Sequence, residues 1–376
     1  MKILFTGGGS AGHIFPILAV ARELRRLGLD WKFFYLGPKD DFGSILLSQE
    51  DIKIKNIFSG KIRRYLTLKS VLQNIFDILF KIPLGFIQSF FYIFFSAPDL
   101  TFSKGGYGSA APVFCSWFLQ VPILLHESDA APGLANQLLS KLVSEILVSF
   151  PISQTEYFSE KKMISVGNPI RTELLEGAKD RAKKLFGLTG EKPIILIVGG
   201  SQGAEVINDT ILEILPQMLV EFELIHQTGE KNFQEVKNEA KVMISKELEK
   251  YYHPIGFLKE MELREAYAAS DIILSRAGSG SIFEIAAAGK PSILIPLALA
   301  AQDHQAKNAY AYADGSKGAA LVIEESNLTP HFLLEKIKYL FALPGELERM
   351  SKAAKTFAKP ESGRLIAEYI MNYYKK

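Results

Sequence analysis

The sequence predicts an α/β protein built from two Rossmann-like domains, and three observations carry that reading. Short apolar runs alternate with helical patterns along most of the 376 residues, the rhythm of parallel strands joined by crossover helices. The two halves open alike, each with an apolar strand running into a glycine-rich turn and then a helix. In the first half Ile3-Leu4-Phe5-Thr6 runs into Gly7-Gly8-Gly9-Ser10-Ala11-Gly12; in the second, Ile194 to Val198 runs into Gly199-Gly200-Ser201-Gln202-Gly203. The chain is also too long for one ordinary core and suits two domains of roughly 150–200 residues.

Strands are predicted in the first half at 2–6, 31–36, 53–58, 100–103, 123–126, 146–150 and 163–166, and in the second at 193–198, 223–227, 271–275, 292–296 and 321–323. Gly167-Asn168-Pro169 is turn chemistry followed by a charged helical stretch, so the boundary is placed there, with domains of 1–167 and 168–362. A last helix at 363–376 is expected to return to the first domain. Ligands of such sheets sit outside the carboxyl ends of the strands, so two facing domains would hold a cleft between their loops.

Composition excludes several classes. Nearly half the residues are hydrophobic, 22% are charged and the net charge is +2, a globular balance with no general pull towards nucleic acid. The single cysteine, Cys115, lies in an apolar run and reads as a buried thiol. No basic-then-apolar leader opens the chain, which points to a cytosolic protein. The stretch 71–97 is the nearest thing to a membrane span. Asp77, Lys81 and Pro83 interrupt it, and the remaining run of about 14 residues falls short of the roughly 20 needed to cross hydrocarbon.

The first turn matches the dinucleotide fingerprint at Gly7, Gly9 and Gly12, but no acidic residue ends the second strand to hold a nicotinamide ribose; Asp40 and Asp41 fall beyond the next turn. The turn does offer backbone N–H groups at a helix start, which favour an anion. His13 stands there, and the positive helix end would keep its imidazole neutral and able to take a proton; the plainer alternative is a histidine bonded to a neighbouring loop. In the second half, 271–291 is a buried strand, a Gly/Ser turn with Ser279, Gly280 and Ser281, and a short helix ended by Gly289 and Pro291. Glu284 lies one turn inside that helix. It could reach a nucleotide ribose, or it could form a capping box with Ser281.

The segment from Ser275 to Pro291, with Gln302-Asp303-His304-Gln305-Ala306-Lys307-Asn308-Ala309, resembles the donor-binding half of the MurG family of peptidoglycan glycosyltransferases. Further blocks of that family follow in order: Gly8 to Pro16, Gly105-Gly106-Tyr107-Gly108, His126-Glu127-Ser128-Asp129, Gly167 to Arg171, and Gly199 to Ala204. The resemblance implies the GT-B fold and inverting transfer of N-acetylglucosamine from UDP-N-acetylglucosamine, without cofactor or metal. In keeping with that, the sequence has no D-x-D pair in its donor blocks. The implied acceptor is the undecaprenyl-pyrophosphoryl-muramyl-pentapeptide, handled at the cytoplasmic face of the inner membrane. Anionic lipid and other cell-wall synthesis proteins are implied partners, and nucleic acid is not.

Carried over by position, the resemblance puts Ser201, Ser279, Gly280 and Ser281 at the pyrophosphate, Glu284 at the ribose, Gln305 at the sugar hydroxyls and the Leu258 backbone at uracil. Arg171 falls near the nucleotide, where it could offset charge growing on the leaving UDP. On the acceptor side come Ser10, Ala11, Gly12, Gly105, Gly106, Tyr107 and Asp129. Asp129 stands where the family usually has asparagine, and a carboxylate accepts hydrogen bonds but cannot donate them. His304 stands where some relatives have glutamine. Inversion needs a base for the acceptor hydroxyl; His13 is the first candidate and Glu127 the second, or Glu127 is a structural carboxylate.

Residues 53–81 hold seven basic residues against Asp77 alone, ahead of an aromatic run. The stretch could dip into a headgroup layer or be a core helix with a solvated basic end. The competing functions are a GT-B enzyme with another lipid acceptor such as diacylglycerol, a UDP-sugar epimerase, or a non-catalytic UDP-sugar-binding protein.

Overall fold

The computed structural model describes residues 1–376 except 9–10, 29, 64–66, 156, 201–202, 299–302 and 376, with all side chains of the rest but those of 11, 42, 374 and 375. The chain divides into two compact units, Met1–Ile170 with Pro360–Lys376, and Arg171–Lys359.

The first unit holds seven strands: β1 (Lys2–Thr6), β2 (Lys32–Gly37), β3 (Lys53–Asn56), β4 (Leu100–Ser103), β5 (Ile123–Glu127), β6 (Glu145–Val148) and β7 (Met163–Ser165). They form one sheet in the order β3-β2-β1-β4-β5-β6-β7, and every pairing is parallel. The second unit holds β8 (Ile194–Val198), β9 (Glu223–Gln227), β10 (Tyr252–Ile255), β11 (Ile272–Ser275), β12 (Ser292–Leu294) and β13 (Ala320–Val322), parallel in the order β10-β9-β8-β11-β12-β13. Two Rossmann-like α/β units are what the sequence predicts. The central strands are buried on both faces, which is why they read as unbroken apolar runs such as Ile194-Ile195-Leu196-Ile197-Val198.

One strand, β10, has no counterpart among those predicted. Its Tyr-His-Pro-Ile sequence lacks an apolar run and carries Pro254, a residue tolerated in a sheet only where one side of the strand is unpaired. The sheet order gives the reason, because β10 pairs with β9 alone and lies at an edge.

The stretch expected to be interrupted is instead helical from Leu68 to Ser96. Pro83 has no N–H to offer the turn before it. The chain widens there into a π-helical turn at Asp77–Lys81, in which the Ile82 N–H reaches back to the Asp77 carbonyl, and the helix continues. By length and composition it could cross a membrane, although only 17% of its most apolar window is buried. Gly85, Ser89 and Ile93, four residues apart, form its buried underside. A Cβ at Gly85 would run into the Phe58 carbonyl.

The last helix, Ser362–Lys375, belongs to the first unit. Ile366, Ala367 and Ile370 share a core with Ile3 and Phe5 of β1 and with Ile14, Ile17 and Leu24 of the first helix, Ala11–Arg26. Ile370→Ala should therefore lower the unfolding free energy by about 2–4 kcal/mol, read as a lower urea midpoint. An unchanged midpoint would mean that this helix contributes nothing to the core.

Candidate active site

In the first unit the candidate residues converge on the carboxyl ends of β1, β4 and β5. The Lys104 N–H donates to the Thr6 carbonyl at 2.8 Å, extending the β1–β4 pairing one residue past β4 and drawing the two following turns together. His13, near the start of the first helix, lies between those turns. A Cβ at Gly8 would sit 3.0 Å from its Cε1, and one at Gly106 would sit 2.9 Å from its Nε2. Gly106 also has φ +83°, a conformation side-chain-bearing residues rarely adopt. The glycines are therefore what lets an imidazole fit there. A Cβ at Gly12 would meet nothing within 4 Å, so the helix start opens onto unfilled space. Ser10 lies outside the described residues, and of Ala11 only the backbone is described.

Glu127, at the end of β5, is 3% exposed and has both carboxylate oxygens engaged. Oε1 accepts the Asp129 N–H at 2.9 Å, and Oε2 accepts Asn136 Nδ2 at 2.7 Å. Asn136 Oδ1 in turn accepts the Gly106 N–H at 3.2 Å, and a Cβ at Gly105 would run into the same side chain. Glu127 thus reaches the Gly105-Gly106-Tyr107 turn through Asn136. Tyr107 is exposed beyond that turn, its ring centroid 6.0 Å from the Lys61 ammonium.

The electrostatics separate the two candidate bases. Burial, aided by Lys104 and opposed by Asp129, pulls His13 down to about 4, so the imidazole is neutral at pH 7. Part of its surface nevertheless stays open. Burial, then the charge of Asp129, pushes the Glu127 carboxyl up to about 7 against the pull of Lys104 and of the two N–H donors. His126 is not at the reacting edge. It is wholly buried, stacks on Phe102 and uses Nε2 towards the Gly167 carbonyl at 3.1 Å, which ties the turn after β7 to β5.

The second unit has an equivalent meeting of strand ends, at β8 and β11. Arg171 Nε and Nη2 pair with Glu284 Oε1 and Oε2 at 2.9 and 3.0 Å. The capping box between Ser281 and Glu284 is not formed, because the helix begins at Ser279 after Gly278 and Ser281 is already inside it. Cβ atoms at Gly278 and Gly280 would meet nothing within 4 Å, so this helix start is open too. The Leu258 N–H is committed to Gln227 Oε1 at 3.1 Å, and Gln227 Nε2 donates to the Gly200 carbonyl. Gln305 Oε1 accepts the Leu297 N–H at 3.0 Å. Ser201 lies outside the described residues. Among the described residues no group of three or more His, Cys, Asp or Glu is arranged to hold a metal ion.

Four residues here escaped the sequence reading. Lys104 and Asn136 shape the first site. In the second unit Arg276 donates to Glu325 and to the Ile295 carbonyl, and Glu325 accepts the Ala298 N–H, which together set the loop leading towards Gln305. Lys104 and Arg276 each directly follow a buried strand and directly precede or flank a glycine turn, a position that could have marked them. Asn136 and Glu325 carry no such mark.

Residues 3–148 match the glycosyltransferase family 28 N-terminal domain, and residues 194–365 match its C-terminal domain. A UDP-N-acetylglucosamine–N-acetylmuramyl-(pentapeptide) pyrophosphoryl-undecaprenol N-acetylglucosamine transferase of Clostridium tetani is 37% identical over 341 residues, 90% of each chain. An enzyme of the same name, numbered 2, from Bacillus anthracis is 34% identical over 373 residues, 99% of this chain and 98% of its own. The crystal structure of Acinetobacter baumannii MurG superposes with a TM-score of 0.75 at 26% identity, covering 99% of both chains.

Arg171→Met leaves Glu284 as a buried carboxylate without its fork, and should cost about 3 kcal/mol of stability. Arg171→Met with Glu284→Gln should recover most of that loss in the same denaturant titration. Equal loss in both variants would show that the pair is not coupled.

Proposed function

The chain belongs to glycosyltransferase family 28 and, within it, to the MurG transferases, and from that premise we propose which residues carry out its reaction. The enzyme moves N-acetylglucosamine from UDP-N-acetylglucosamine to the muramyl 4-hydroxyl of the undecaprenyl-linked muramyl-pentapeptide, in peptidoglycan synthesis. The acceptor oxygen forms a bond to the anomeric carbon as the bond from that carbon to the UDP oxygen breaks, with inversion. UDP leaves with the electron pair, and the acceptor proton must go to a base.

His13 is that base. The observation that carries this assignment is a neutral imidazole, partly open to solvent, set between the Gly8 and Gly106 turns. Glu127 is a positioning residue: both of its oxygens face N–H donors, and it reaches the acceptor side only through Asn136 and the Gly106 N–H. Ser10, Ala11, Gly12, Gly105, Tyr107 and Asp129 border the acceptor. Donor binding falls to the open helix start at Ser279, Gly280 and Ser281, with Ser201 beside the pyrophosphate. Its N–H groups and the Arg171 guanidinium offset the charge growing on UDP. Glu284, held by Arg171, presents its carboxylate to the ribose. Gln305 has its amide nitrogen for the sugar hydroxyls, and Leu258 lies at uracil.

The membrane surface is engaged by the Leu68–Ser96 helix. Leu79, Phe91 and Phe95 are exposed on it, and Trp117 and Phe118 are exposed on the adjoining helix Ala110–Phe118; clustered exposed apolar side chains of this kind mark an interaction surface. Its underside is packed on the domain. Asp77, 2% exposed, accepts Arg63 Nη1 and pairs with Lys81, which fixes this helix to the segment before it. These ties favour a helix lying in the headgroup boundary over one that crosses the bilayer, with Lys61, Arg63, Lys69 and Lys81 for anionic lipid.

The first test is UDP release from UDP-N-acetylglucosamine, with and without the lipid-linked muramyl-pentapeptide, in buffer containing chelator. Acceptor-dependent release is expected, and His13→Ala should lower kcat by about 10²- to 10⁴-fold with little change in acceptor KM. Release without acceptor, or with diacylglycerol alone, would refute the acceptor assignment; full activity in His13→Ala would refute the base. Separately, Phe91→Glu with Phe95→Glu should weaken sedimentation with anionic vesicles, and binding of the unaltered protein should fall with salt. Binding insensitive to both would refute the membrane face.

A further inference from the structure

Lys104 is 4% exposed, an unusual place for a lysine, and the transfer just described has no use for it. Its backbone is fixed by the Thr6 carbonyl, and its ammonium donates to Ser128 Oγ at 2.5 Å. Ser128 Oγ in turn donates to Asn168 Oδ1 at 2.8 Å, so two buried side chains, one just after β5 and one in the turn after β7, hold in place the cation that follows β4. Among the described residues it makes no direct ion pair. A hydroxyl alone is poor compensation for a buried ammonium: burial lowers the Lys104 pKa, and the charges of Glu127 and Asp129 work against that.

Those groups are the candidate reaction machinery. A Cβ at Gly7 would sit 3.3 Å from His13 Cβ and 3.4 Å from Lys104 Cβ, and Ser128, which takes the ammonium, stands in the chain between Glu127 and Asp129; the charge of Lys104 accordingly acts on His13, His126 and Glu127. We propose that Lys104 is a positioning residue for the glycosyl transfer, whose buried charge opposes protonation of both His13 and Glu127. This rests on the transfer reading above and goes beyond it by assigning the group that sets the protonation of the site.

The geometry says why both settings matter. A protonated His13 cannot take the acceptor proton. A protonated Glu127 must turn its O–H towards either the Asp129 N–H or Asn136 Nδ2, and so loses one of the two bonds behind the Gly106 turn. A positive charge at Lys104 opposes protonation at both places. The sign is therefore the same whichever of the two limits the rate.

The experiment is the pH profile of acceptor-dependent kcat/KM for the unaltered enzyme, Lys104→Gln and Lys104→Arg. The unaltered enzyme should lose activity on the acid side near pH 7, where Glu127 titrates. Lys104→Gln keeps a donor for Ser128 but removes the charge, and its acid limb should move up by roughly one pH unit, with most of the rate recovered above pH 8. Lys104→Arg should keep the original limb. A Lys104→Gln enzyme slower at every pH with an unmoved limb, or one defective only in acceptor KM, overturns the proposal in favour of a structural or substrate-binding lysine. An NMR titration of the His13 imidazole needs no activity: its midpoint should rise in Lys104→Gln, and an unmoved midpoint overturns the proposal even if the transfer assignment stands. Thermal melting of each variant identifies one that has failed to fold, in which case the Lys104→Arg profile and a Lys104→Met titration replace it.

Discussion

A parallel sheet buried on both faces can present polar chemistry only at its strand ends, and everything functional in this protein follows from that restriction. In the first unit β1 is flanked by β2 and β4, so the connections leaving β1 and β4 pass to opposite sides and a crevice opens between them. The Thr6–Lys104 hydrogen bond pulls the two exits together. Two turns that close leave little room for side chains of their own, hence glycine at 7, 8, 105 and 106, and the His13 imidazole fits between the Gly8 and Gly106 turns. The second unit repeats the arrangement at β8 and β11, where open glycines precede the Ser279–Ala287 helix.

How much of this was legible depends on whether the determining contact is local. Strand runs such as Ile194 to Val198 and glycine turns before helices follow from burial on two faces and from the backbone alone, so the fold could be read directly. Where a local rule met a tertiary contact, the contact won. The Tyr252–Ile255 strand has no apolar run to mark it and carries Pro254, whose missing N–H costs little at the sheet edge. Pro83 argued for a helix break, but a wider turn absorbs it while Asp77 finds Arg63 and Lys81. Ser281 and Glu284 had the spacing of a capping box, but Arg171, 113 residues away from Glu284 in sequence, takes the carboxylate.

The candidate site divides in the same way. His13, Glu127, Glu284 and Gln305 sit in sequence blocks with a recognisable resemblance; Glu127 ends a strand, His13 and Gln305 lie in the first turn of their helices, and Glu284 lies one turn inside its helix. Asn136 and Lys104 are unremarkable in the sequence because their importance lies in what they touch. Asn136 matters only because Glu127 and the Gly106 N–H lie on either side of its amide. Lys104 matters because it is buried, and burial is a property of the fold that no spacing encodes.

Burial also explains how a carboxylate at position 129 is tolerated. Asp129 places a second carboxylate in a pocket that already holds Glu127. Left alone, that charge would favour protonation of both His13 and Glu127, and it raises each of them here. Protonation at either place works against the transfer, the first by occupying the base and the second by loosening the Gly106 turn. A single buried cation opposes both effects at once, and at Lys104 it does so without occupying a lone pair of Glu127, whose two oxygens remain with Asp129 N–H and Asn136. In this site the cation and the added carboxylate are therefore one electrostatic arrangement. Removing Asp129's charge while keeping Lys104 would push both titrations down, the opposite of removing Lys104's charge while keeping Asp129.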